Sequence, residues 1–290
     1  MLLTSIIYGF VNSIILSLIA LGFNLTFGIS GVANFAYGAL YILAGFLCWI
    51  FFNTIGLPYV LAILFSVFLT AISGLLLYHL VLLRIRGMVL AEVIATFAIG
   101  ISVLELFKYF GFIGFEYSLP VFIDKSIDIG NVTIDMQRVL IVISGLILAI
   151  LLWIFTHHTR LGLRFRGIAQ NERTALSLGI NSDLVASLSV SLGAALAAIA
   201  AIVILPLGTI TVESGYDVLI NALAVCIVGG LGSTGGVIFA SFLIGYAESF
   251  TAYYLESHWV MVVPLVAILS ILVIKPSGLF GVHKELEERI

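Results

Sequence analysis

The sequence predicts an all-α fold: a polytopic transmembrane bundle of about eight to ten membrane segments, some broken or re-entrant, running N-outside to C-inside. Three observations carry that prediction. First, the 290-residue chain is 62% hydrophobic and 9% charged, with a mean hydropathy of +1.27. A soluble domain carries roughly a quarter charged residues, so too few remain here to wet a globular surface. Second, the apolar residues fall into successive runs of about 20, the length needed to cross a bilayer. Third, the basic residues are segregated. Arg84, Arg86, Arg160, Arg164, Arg166, Arg173, Lys275, Lys284 and Arg289 fall on one side of the alternating runs, and Lys108, Lys125 and Arg138 on the other. Basic loops stay in the cytoplasm.

The runs follow in order. Residues 5–27 form a first helix, interrupted by Thr26-Phe-Gly-Ile-Ser-Gly31 and followed by Asn34-Phe-Ala-Tyr-Gly38. Residues 1–7 hold no Lys or Arg, so the n-region of a signal peptide is not expected. A second run reaches about Phe52, and Asn53–Pro58 turns the chain. A third run from Tyr59 to about Leu83 closes on Arg84 and Arg86, and a fourth occupies roughly 88–110. A polar stretch with Glu116, Asp124, Lys125, Asp128 and Asp135 precedes the fifth run, 137–156.

Residues 160–183 are the most polar segment and hold four of the twelve Lys and Arg residues. After Asn171 a short helix is expected, with Glu172 and Arg173 at its start and Gly179-Ile180-Asn181 as its stop, since Gly and Asn tolerate the left-handed terminal conformation. The sixth run, 184–207, is rich in small residues (Gly193 to Ala201), which suits a central packing helix. Residues 217–230 form a short segment broken by Gly229-Gly-Leu-Gly-Ser-Thr-Gly-Gly236, and runs 237–255 and 259–274 complete the bundle. Residues 276–290 form a cytoplasmic tail, charged from His283 onward. The whole of 1–290 is read as one transmembrane domain, with 160–183 a cytoplasmic loop within it.

No catalytic constellation is present. The sequence has no His-Glu-x-x-His motif and no Gly-x-x-x-x-Gly-Lys phosphate loop; Gly229–Gly236 lacks the lysine and reads as a helix break. Cys48 and Cys226 lie in apolar runs and are read as small buried hydrophobes. His157 and His158 suit the inner end of the fifth run, and His79 the same surface. An enzyme, a resident cofactor or metal, and a nucleic-acid partner are not expected.

Polar groups inside a membrane are costly and mark interiors or pathways. Glu105 is spaced to pair with Lys108, and Glu92 is placed to face Arg84 or Arg86. For Glu248 a buried pairing and a partner-subunit contact are equally open. Asn34, Phe35, Thr96 and Asn221 are the candidate lining of a pathway, with the neutral Asn24 nearby. Gly28, Gly31, Gly229, Gly230, Gly232 and Gly235 are the candidate helix breaks, tolerated at membrane depth only where protein or a wet cavity satisfies the backbone. The pattern points to a small polar or zwitterionic solute.

Five motifs in order resemble the permease subunits of branched-chain amino acid ABC importers, particularly the LivH-like branch. They are Leu21–Gly38, Ala95–Ser102, the loop with Arg166–Asn171 and Ala175–Asn181, Val228–Val237, and Lys275–Gly281. Two departures stand out: Gly235 where many relatives have Pro, and Ala200-Ala201 in place of an Ala-Gly pair.

The resemblance implies two permease subunits, homologous or identical, forming a pathway in a prokaryotic plasma membrane. Two separate cytoplasmic ATPases would carry ATP and Mg, and an extracytoplasmic solute-binding protein would deliver the ligand. It also implies an ATPase-coupling surface of Arg166, Gln170, Asn171, Glu172, Arg173, Ala175, Leu178, Gly179 and Ile180. Urea or another small polar solute is the alternative cargo. A stand-alone secondary carrier or channel is the alternative class, with Glu248 as its one plausible mid-membrane carboxylate.

Overall fold

A computed structural model describes residues 2–29, 31–32, 34–112, 117–129, 132–255 and 257–281. Glu116 and the tail from His283 to Ile290, with Lys284 and Arg289, lie outside the described residues.

Helix α1 (Leu2–Phe23) passes into a π-helical turn, Asn24–Ile29, and α2 (Tyr37–Trp49) ends in another, Ile50–Thr54. Helix α3 (Tyr59–Leu77) continues through the π turn Tyr78–Leu82 into α4 (Leu83–Ile85), and α5 (Val89–Tyr109) follows. After the hairpin β1 (Ser126–Ile129) and β2 (Val132–Asp135) come α6 (Met136–His158), α7 (Arg160–Gln170) and α8 (Glu172–Ser177). Next are α9 (Ser182–Ile204), α10 (Ser214–Gly229), α11 (Thr234–Tyr254) and α12 (Val262–Ile274). Among the described residues seven helices are long and apolar enough to cross a membrane, and two shorter apolar helices, Ser214–Gly229 and His258–Ile274, accompany them. At 1.5 Å per residue the 23 residues of α9 reach about 35 Å, whereas the 16 of α10 reach only about 24 Å.

The fold is helical, as expected, with one addition. Ile127 and Ile134 pair across an antiparallel hairpin, Asp128 opposite Thr133, where the polar stretch before α6 showed no element. Strict alternation of apolar and polar residues is a strand pattern, and here it caps one end of the bundle: the Tyr8 hydroxyl donates to the Thr133 carbonyl at 3.2 Å.

Helices α1 and α9 form the centre. Ala194, Ala197, Ala198, Ala200 and Ala201 are all fully buried. Small residues bring backbones together where lipid offers no hydrophobic drive between helices. Gly245 of α11 abuts the Ser13 backbone of α1, Gly145 of α6 receives Ile14, and Gly74 of α3 receives Ala194. Large apolar side chains such as Val60, Leu64 and Phe68 on α3 and Ile147, Ile150 and Leu151 on α6 point outward. That is the inverse of a soluble surface and fits a hydrocarbon solvent.

The two ends of the bundle differ in charge. At one end Lys108 pairs with Glu105 at 3.0 Å and Glu213 at 3.4 Å, and Arg138 lies over the Tyr8 ring at 4.6 Å. Arg84, Arg86, the α7–α8 segment and Lys275 gather at the other.

Candidate functional site

The basic end is built around backbone contacts between glycines. Gly230 (φ +97°) and Gly232 (φ +84°) break the chain between α10 and α11, and Gly31 (φ +72°) follows the π turn after α1. The Leu279 amide donates to the Val228 carbonyl at 2.8 Å and the Phe280 amide to Gly229 at 3.0 Å, so the segment after α12 is laid onto the α10–α11 turn. Asn24 Oδ1 accepts from the Gly232 amide at 3.0 Å, tying the π turn of α1 to the same knot. Two of the sequence candidates are not breaks. Gly28 lies within the π turn and packs against Gly232, and Gly235 lies in the first turn of α11, whose N-cap Ser233 accepts from Gly236 at 3.1 Å.

Beside this knot stands the polar loop. It holds two helices rather than one, because Thr159 caps a helix that the charge density of Arg160–Gln170 obscures. Thr159 Oγ1 accepts from the Gly162 amide at 2.9 Å, and Gly162, Phe165 and Ile168 bury the inner face of α7. Asn171 caps α8 through the Thr174 amide at 2.9 Å, and Asn181 caps α9 through the Leu184 amide at 3.0 Å. Gly179 stops α8 at φ +79°, with Gly179 N donating to Leu176 O and Ile180 N to Ala175 O.

The exposed part of this loop is narrower than the expected surface. Gln170, Asn171, Arg173, Leu176, Leu178 and Gly179 are exposed, while Arg166 and Ile180 are half-buried. Ala175 is 3% exposed and packs into the core. Glu172 turns inward to Arg86 at 3.1 Å. Arg86 also donates to Asp183, to Ser182 Oγ and to the Tyr78 hydroxyl. Glu92 does not meet Arg84 or Arg86. It is buried on α5, and its Oε1 accepts from the Gly87 amide at 2.8 Å, because the tight turn at Gly87 (φ +89°) presents that amide instead.

Deeper in the bundle, residues 34–36 dock on α5. The Phe35 amide donates to Thr96 Oγ1 at 3.0 Å, and Thr96 donates to the Glu92 carbonyl at 2.7 Å. Gly100, one turn on, allows close approach: a Cβ there would stand 3.2 Å from Ala36 Cα. Asn34 is fully buried; its Oδ1 accepts from the Ala36 amide at 3.2 Å, and among the described residues its Nδ2 has no hydrogen-bond partner. A cleft opens here between α2, α5 and α10, lined by Phe35, Gly38, Ala39, Phe97, Gly100, Ile101, Leu104, Gly215, Tyr216 and Leu219. Gly38 and the Gly215 carbonyl touch so closely that a Cβ on Gly38 would overlap it.

Three of the four pathway candidates, Asn34, Phe35 and Thr96, are thus brought together, but of the four only Phe35 lines the cleft. Asn221 is half-buried and lies outside the lining. Gly38, Gly100, Tyr216 and Gly215 were missed; the only trace in sequence was the four-residue spacing of Thr96 and Gly100 on one helix face. Glu248 is 6% exposed and accepts from Asn12 Nδ2 at 2.8 Å, which realises the buried pairing.

Fold and site together define a multi-pass α-helical membrane protein with broken helices around an interior cleft and a folded polar loop at one end. The chain belongs to the family described as branched-chain amino acid transport system / permease component, which it matches over residues 5–272. It is 27% identical over 281 residues to the high-affinity branched-chain amino acid transport system permease protein BraD of Pseudomonas aeruginosa, with 91% of each chain covered. It is 25% identical over 279 residues to LivH of Escherichia coli K12, again over 91% of each. Over 290 residues it is 28% identical to a probable branched-chain amino acid transport permease protein LivH of Methanocaldococcus jannaschii, covering 94% of this chain and 90% of that one. The solved structure of PsaBC from Streptococcus pneumoniae in complex with Fab shares the fold, at a TM-score of 0.51 and 13% identity over 95% of this chain and 94% of that one.

Proposed function

We propose that this chain is the permease subunit of an ATP-driven importer of branched-chain amino acids in a prokaryotic plasma membrane. It works with a second permease subunit, two cytoplasmic ATPases and an extracytoplasmic solute-binding protein. The observation that carries this reading is the family match across nearly the whole chain, joined to a folded loop at the basic end that exposes Arg173, Leu176 and Leu178. Sidedness by the positive-inside rule puts that loop in the cytoplasm, where an ATPase can reach it. ATP and Mg then act on the partner subunits.

The cleft is too narrow here to hold an amino acid, but the chemistry of its walls matches one. Phe35, Phe97, Ile101, Leu104 and Leu219 offer apolar walls, and no charged side chain appears among its lining residues. Asn34, whose Nδ2 has no hydrogen-bond partner among the described residues, precedes Phe35 in the chain just outside that lining. Apolar walls with a few neutral polar groups fit a solute whose side chain is aliphatic and whose net charge is zero.

Reconstitution in proteoliposomes tests the proposal. Labelled leucine should enter only when the co-purifying ATPases and a binding protein are present and ATP is on the ATPase side. Excess isoleucine or valine should compete and urea should not. Uptake by this chain alone, driven by a proton or sodium gradient and indifferent to ATP, would sink the reading.

A further inference from the structure

We propose that Arg86 is the positioning residue through which movement of the α7–α8 loop reaches α5 and the Asn34–Ala36 interruption. The inference rests on the reading of that loop as the ATPase contact. Arg86 ends α4, and its side chain is 19% exposed. Its guanidinium is shared by two other elements: Glu172 in the first turn of α8, at 3.1 Å, and Ser182 and Asp183 in the first turn of α9. The Tyr78 hydroxyl, from the π turn before α4, touches both Arg86 and Asp183 at 3.3 Å.

The chain of contacts continues inward without a gap. Gly87, the next residue, gives its amide to the Glu92 carboxylate. The Glu92 carbonyl accepts from Thr96, and Thr96 accepts from the Phe35 amide at the edge of the cleft. The links are directional hydrogen bonds and ion pairs, joined through the backbone from Arg86 to Gly87 and through Glu92 itself. An apolar contact can slide by fractions of an ångström and persist, whereas a planar guanidinium fork is either engaged or released. That makes the network suited to two discrete arrangements, which is what coupling between distant sites requires. A lone exposed ion pair contributes little to stability, so a cluster of two carboxylates, a hydroxyl pair and one arginine where α4, α8 and α9 meet is better explained by positioning.

The test uses the complete complex in proteoliposomes, with leucine as the transport probe and ATP hydrolysis read in parallel. In R86A the ATPases should remain bound and active while leucine moved per ATP falls about tenfold, within the usual span of a coupling free energy. R86K keeps the charge but loses the fork; it should fall in the same direction by less, and it carries the test if R86A does not insert. The exchanged pair R86D with D183R should recover coupling, which ties the loss to the Arg86–Asp183 pair. A wild-type ratio of uptake to hydrolysis in R86A and R86K overturns the proposal. Loss of the ATPases from R86A also overturns it, since Arg86 would then belong to the docking surface. If the wild-type complex moves no leucine, the substrate reading fails instead. Maleimide labelling of Ile101→Cys then decides: an ATP-dependent change in wild type that R86A abolishes supports Arg86, and one that R86A retains removes it. A wild-type chain that binds no ATPase overturns the loop reading itself.

Discussion

Gly230 and Gly278 meet backbone to backbone, each with positive φ, and a Cβ on Gly278 would stand 2.5 Å from Gly230 Cα. No L-residue fits there without moving the α10–α11 turn. Gly235, five residues on, is a different case. It has no atom within 4 Å of a virtual Cβ, its φ is not in the left-handed region, and it lies in the first turn of α11, where Pro is tolerated because the amide has no intrahelical partner. Gly235→Pro should therefore stabilise the subunit by about 0.4–1 kcal/mol through the unfolded chain. Thermal unfolding in detergent should show a higher Tm with the fold intact. A lower Tm would mean that the turn needs the freedom of Gly.

At the scale of elements, the α1–α11 interface carries a buried carboxyl, that of Glu248. Asn12 and Glu248 bond at 2.8 Å, and Asn12 Nδ2 also lies 3.3 Å from the Gly245 carbonyl. Glu248→Gln retains a side-chain oxygen for Asn12, so the fold and ATP-driven uptake should persist. Asn12→Leu strands a buried carboxyl without its donor, costing about 1–3 kcal/mol, visible as a lower Tm. Loss of uptake in E248Q with an unchanged Tm would place Glu248 in transport. The seven long helices were legible because apolar runs of membrane length have few other readings. Helix α7 was not, since its three arginines mask the Gly162, Phe165, Ile168 stripe that buries it. Two of the π turns were visible only as breaks, at Thr26–Gly31 and Asn53–Pro58, and the third, Tyr78–Leu82, left no trace in an apolar run. Around the cleft, Asn34, Phe35 and Thr96 were legible as polar or unusual groups in greasy surroundings. Arg86 was visible only as a charge, because its partners lie 86 and 97 residues further on.

For the whole molecule the two charge-segregated ends must be assigned to sides of the membrane. Lys108 and Arg138 are neutralised locally by Glu105, Glu213 and Asp135. At the opposite end Arg86 is balanced by Glu172 and Asp183, but Arg164 and Arg173 stand exposed beside them. The excess of uncompensated positive charge is therefore at the loop end, and positive loops resist translocation. Cys48 and Cys226 are fully buried, so single exposed cysteines can report sidedness against a quiet background. Asp124→Cys, before the hairpin, should react with an impermeant maleimide in right-side-out vesicles. Leu178→Cys, at the end of α8, should react only after inversion or permeabilisation. The opposite pattern would put the α7–α8 loop outside the cell, out of reach of any cytoplasmic ATPase, and would remove ATP-driven coupling through this loop.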